Sequence, residues 1–98
     1  MIKHIVCFKL KDCTPQKAQE ARDLLLTMKG KVPEVIALFA GVDFLHSERS
    51  YDVILEVTVK DRDALERYQK DSYHCGVIKP HMHAAREASV AVDVEIPD

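Results

Sequence analysis

The run YDVILEVTVK, Tyr51–Lys60, decides the fold. Tyr51, Val53, Leu55, Val57 and Val59 fall on one side of a period of two, and Asp52, Ile54, Glu56, Thr58 and Lys60 on the other. Sustained alternation rich in β-branched side chains specifies a strand with one buried face. On its N-terminal side, His46–Ser50 (HSERS) is a polar turn. Before that turn, Val35–Leu45 is apolar almost throughout and reads as another strand, in which Gly41 suggests a bulge or a close backbone approach. On the C-terminal side, Asp61 or Asp63 can cap a helix whose inner face is Ala64, Leu65 and Tyr68.

Further out, Ile2–Leu10 alternates, with Ile2, His4, Val6, Phe8 and Leu10 on one face. Thr14-Pro15 then starts a helix, because threonine caps well and proline costs nothing at the first helical position. Ala18, Ala21, Leu25 and Met28 continue it until Gly30 and Pro33 end it. A second helical stretch begins near Tyr73, with His74, Val77, Ile78 and His81 on one face, and Pro80 must interrupt or restart it. Ala88–Ile96 is the last strand, and the parity of Asp93 groups it with Ser89, on a side that can face solvent.

The order is β-α-β-β-α-β in a single domain, residues 1–98. That is an α+β, ferredoxin-like fold: one antiparallel four-stranded sheet with helices on one face. The second strand is apolar on both sides, and Ile5 and Ile54 put apolar groups on the sheet's other face. An apolar sheet face without helices is an association surface. The expectation is a homodimer packing through this open face.

Composition narrows the function. Fourteen Lys and Arg against sixteen Asp and Glu give a net charge of −2, and no basic cluster concentrates on one segment. Nucleic acid and anionic membrane are therefore not expected partners. Three cysteines, Cys7, Cys13 and Cys75, lack zinc-site spacing and cannot all pair, which fits a reduced, cytoplasmic setting. No phosphate-cradling glycine motif occurs. Neither a cofactor nor a metal is expected. His81 and His83 diverge if this segment is helical, and read as packing residues, His81 facing in and His83 out.

The stretches MIKHIVCFKLK, SYDVILEVTVKDRDALERYQKDSYH and SVAVDVEI resemble the stress-responsive A/B barrel domain (Dabb) family over nearly the whole chain. That resemblance implies a dimeric α+β barrel of ferredoxin-like subunits. Within the family the chain distantly resembles olivetolic acid cyclase, which cyclises a linear polyketide by aldol condensation. Carried over by position, the resemblance implies a base at His74, a hydroxyl donor at Tyr68, and supporting roles for His4 and Asp93. Where that relative has His-Pro-Ala-His, this chain has Asp71-Ser72-Tyr73-His74, and the segment after His74 differs throughout, so the cyclase's substrate does not follow.

The residues themselves permit the same chemistry: an imidazole titrates near neutrality, and a phenol can donate to a developing oxyanion. Phe8, Leu24, Leu25, Phe39, Phe44, Leu55 and Val77 are candidates to line an apolar cavity beside them. Three functions stay open. The first is a lyase or cyclase acting on a small carbonyl compound, with His74 as base and Tyr68 as donor. The second is a non-catalytic, stress-associated dimer binding a small hydrophobic ligand. The third is a haem-type or aromatic monooxygenase.

Overall fold

In the computed structural model, which describes residues 1–98, the alternating N-terminal run becomes an inner strand. β1 (Ile2–Leu10) lies between β3 (Val53–Val59) and β4 (Arg86–Glu95), antiparallel to both. β2 (Ala37–Val42) pairs with the far side of β3, which gives the order β2-β3-β1-β4. α1 (Pro15–Leu26) joins β1 to β2. Between β3 and β4 run α2 (Arg62–Lys70), a π-helical turn at His74–Ile78, and α3 (Lys79–Ala85). The ferredoxin-like order is as expected, with the second helical layer divided in three. No helix is long and apolar enough to cross a membrane.

The helix caps form as the sequence indicates. Thr14 Oγ1 accepts from Lys17 N, and of the two candidate aspartates it is Asp61 that caps α2, accepting from Ala64 N. Ala18, Ala21 and Leu25 are the buried stripe of α1. The helix stops at Leu26 rather than Met28. A turn follows, ending in Gly30 at φ 79°, and Met28 still reaches the core from it.

Register decides the two sheet faces. Ile2, His4, Val6 and Phe8 stand opposite Val59, Val57, Leu55 and Val53 on β3, so these residues share the helix-covered face and its core. On β4 their partners are Glu95, Asp93, Ala91 and Ser89. The polar side of β4 therefore looks toward the helices, and its valines look the other way. Across the open face runs the row Phe39-Glu56-Ile5-Val92, followed by Gly41-Ile54-Cys7-Val90. Phe39 lies over Gly41, where an added Cβ would meet the ring at 3.1 Å. The close approach suggested by that glycine is made by a neighbour's aromatic ring.

Two strands are shorter than their apolar runs. β2 ends at Val42, and Phe44 and Leu45 sit in the connecting loop, 89% and 68% exposed. Tyr51 and Asp52 precede β3. Asp52 Oδ2 accepts from Leu10 N at 2.7 Å, so a side chain takes the place of a ladder bond there.

Candidate functional site

A cavity of about 200 Å³ lies between β1 and β3 below and α2, the π-turn and α3 above. Val6, Phe8, Leu25, Leu55, Ile78 and Met82 give it apolar walls, and His4, Tyr68 and His74 stand among them. Larger hollows, of about 400 Å³ beside Lys11 and His81 and about 570 Å³ between Cys13 and Phe44, hold none of these three rings. The smaller space is the candidate site, because there two imidazoles and a phenol stand together among apolar side chains.

His4 is delivered by the central strand and is 7% exposed. Its Nδ1 is 2.5 Å from Asp93 Oδ1 on the neighbouring strand, a cross-strand pair on one face. In the neutral ring, pairing with a carboxylate that only accepts puts the proton on Nδ1 and leaves Nε2 its lone pair. Asp93 itself is half-exposed. Its parity does group it with Ser89, yet that parity is the helix side, because β4 is paired to β1 at this register.

His74 comes from the π-turn. Asp71 Oδ2 accepts from both Tyr73 N and His74 N and so fixes the start of that turn. His74 Nδ1 donates to the Tyr68 carbonyl at 3.2 Å, which again leaves Nε2 as the free nitrogen. No buried side-chain nitrogen or oxygen lacks a partner, so neither Nε2 is sealed in the core. Burial, helped by the nearby Lys79 charge, pushes the His74 pKa down to about 4. The ring is neutral throughout the physiological range.

Tyr68 is wholly buried between the two histidines. Its ring stacks on His74 with centroids 4.4 Å apart and meets His4 edge-on at 5.7 Å. The hydroxyl donates to Met28 Sδ at 3.7 Å, and Met28 is not a cavity wall. Burial, with Asp71 adding to it, raises the phenol's pKa well above its usual value, so it stays protonated.

Of the residues singled out from the sequence, Tyr68, His74, His4, Phe8, Leu25 and Leu55 line this cavity, Leu24 does not, and Asp93 stands behind His4. Phe39 does not: it belongs to the opposite sheet face and is 55% exposed. Phe44 is out in the loop. Val77 is exposed as well, because the π-turn shifts the helical phase. Lys79 N bonds to His74 O five residues back, and the face turned inward becomes His74, Ile78, Met82. This widening arrives just before Pro80, which has no N–H to continue an α-helical ladder. The same shift leaves His81 exposed, against the expectation that it faces in, while His83 is exposed as expected and stands at the cavity rim.

Sequence reading missed Lys79, His83, Arg86 and Ser89 on that rim. Lys79, Met82, His83 and Arg86 have the offsets of three, four and seven that mark one helical face, a signal available once the phase is known. No three His, Cys, Asp or Glu side chains converge to hold a metal.

The family model described as Dabb, the stress responsive A/B barrel domain, matches residues 2–96, and the chain belongs to that family. No curated protein matches it. Among solved structures, it is similar to a dimeric ferredoxin-like protein of unknown function from Thermobifida fusca, at 22% identity and a TM-score of 0.82, covering 97% of this chain and 90% of that one. An Arabidopsis thaliana protein superposes with a TM-score of 0.83 at 18% identity, covering 100% and 97% of the two chains. A Dabb family protein of ferredoxin-like fold from Mesorhizobium loti gives 0.75 at 17% identity, covering 99% and 97%. At these identities the likeness is one of fold.

Proposed function

We propose that this stress responsive A/B barrel domain protein takes a small carbonyl compound into the cavity and removes a proton from it with an imidazole, as a lyase or cyclase would. The observation that carries the proposal is the His4–Asp93 pair opening into an apolar cavity. A carboxylate on Nδ1–H holds the ring in one tautomer and stabilises the imidazolium formed when Nε2 accepts a proton.

The resemblance to a cyclase assigned the base to His74 and the donor to Tyr68. Electrostatics here favours a different division. A ring with a pKa near 4 is a weak base at neutral pH, so His74 serves better as a neutral acceptor orienting the ligand. His4 takes the proton from the carbon next to the carbonyl, and the electron pair moves onto the carbonyl oxygen as an enolate. The protonated Tyr68 hydroxyl is turned to Met28 Sδ, away from the cavity lining, so it donates to that oxygen only if the ring shifts toward the ligand.

Assembly belongs to the same proposal. The bare apolar face around Phe39, Ile5 and Val92 packs against its copy, giving a homodimer with two sheets face to face, a dimeric α+β barrel. The cavity then stays on the far side of each sheet. The similar Thermobifida fusca structure is described as dimeric, which supports this reading.

The test is exchange of α-protons for deuterium in small 1,3-dicarbonyl compounds, followed by proton NMR. Wild-type protein accelerates the exchange. His4→Gln lowers the rate by about 10²-fold or more, and Asp93→Asn lowers it in part, with both variants folded. Compounds that shift the His4 and His74 ring resonances without exchanging any faster than with His4→Gln would mark a binding protein instead.

A further inference from the structure

The rim of the cavity carries a charge pattern that the proton-transfer reading leaves unused. Lys79, His83 and Arg86 lie there beside Gln69 and Ser89, and no aspartate or glutamate is among the lining residues. Five other cations are held in ion pairs, Arg67 with Glu34, Arg62 with Glu95, Lys17 with Asp12, Lys3 with Glu56 and Arg22 with Asp23, whereas neither Lys79 nor Arg86 is. Lys79 Nζ has only the Gln69 carbonyl, at 2.9 Å, and the Arg86 side chain has no hydrogen bond or ion pair within the protein. Both are half-buried rather than extended into water. In a chain with more acids than bases, two partly desolvated cations without a carboxylate at one apolar mouth suit an anion.

We propose that the ligand of this cavity is an organic acid, its carboxylate seated between Lys79 and Arg86 and its apolar body against Phe8, Leu55, Ile78 and Met82. The inference rests on the cavity being a ligand site. The planar guanidinium can grip a carboxylate with two parallel hydrogen bonds, while the lysine adds a point charge from the other end of α3. Size sets the body. An apolar hole of about 150 Å³ takes a benzene ring, so about 200 Å³ admits an aryl group with a short arm, or an aliphatic chain of similar bulk. Asp93 stands behind His4, below the rim, and repels a carboxylate placed there, which favours entry with the acid group outermost.

Three probes of one shape separate charge from fit: phenylacetate, phenylacetamide and phenethylammonium, titrated into ¹⁵N-labelled protein at pH 7. Phenylacetate binds about tenfold or more tightly than the amide, and the ammonium does not perturb the cavity. Replacing both rim cations, Lys79→Met with Arg86→Met, keeps their apolar stems and brings phenylacetate down to the affinity of the amide, which itself changes less than about twofold. Equal binding of acid and amide to the wild-type protein, a comparison independent of any variant, overturns the anion inference and leaves the cavity a ligand site. A preference for acid over amide that survives the double substitution also overturns it. If none of the probes shifts the His4 or His74 ring resonances, the anion inference and the cavity's role as a ligand site fail together.

Discussion

On one face of the sheet His4, Leu55 and Val57 lie under helices; on the other, Phe39, Ile5 and Val92 form a row with nothing over them. The two faces draw on similar apolar side chains. Their fates differ because both helical connections fold to the same side. One face obtains its burial from its own chain and can hold a cavity with polar groups in it. The other can only be buried by a second molecule. The proposed chemistry and the proposed assembly therefore lie on opposite sides of four strands, so altering either should have little effect on the other.

The helix face is where substitution should hurt most. Tyr68→Ala removes a wholly buried ring from between two imidazoles and should cost about 3–5 kcal/mol. Urea denaturation reads this directly, and a loss below about 1 kcal/mol would show that the cavity wall collapses freely onto the gap.

A smaller effect on the same face comes from pH. The unfolded chain protonates its imidazole with a pKa near 6.5, while folded His74 resists protonation until about pH 4. Between those values the unfolded state binds the extra proton, so stability falls as pH drops through the window. Below pH 4 this group makes no further difference. The loss between pH 7 and pH 5 should be about 2 kcal/mol. His74→Phe should remove that part of the pH dependence of the urea midpoint, and an unchanged slope would mean that the ring titrates normally.

The open face should respond least in stability and most in mass. Val92→Asp puts a charge into the row beside Ile5, where the monomer already leaves the side chain 56% exposed. The monomer should lose no more than about 0.5 kcal/mol, while light scattering should show the dimer dissociating. A Val92→Asp protein that stays dimeric would place the interface elsewhere.

Much of this was legible in the chain. Alternation fixed the core sides of β1 and β3, Thr14 and Asp61 marked two helix starts, and Tyr68 and His74 were recognisable as a pair. Phe39 was not legible, because a strand apolar on both sides has no parity contrast to say which side is in. Asp93 was misleading for a different reason. Polar alternation on β4 suggests solvent, and only pairing with β1 turns that side toward His4. Val77 and His81 were displaced by a single π-turn, a slip in phase that residue spacing cannot show in advance.

Local sequence determined the elements and their order, because period, caps and breakers act within a few residues of themselves. Tertiary structure alone decided which strand lies beside β1, where the helical phase slips, and so which histidine acquires a carboxylate and which cations are left without one. Those outcomes depend on contacts between residues as far apart as His4 and Asp93, whose meeting is fixed by sheet register rather than by anything near them in the chain.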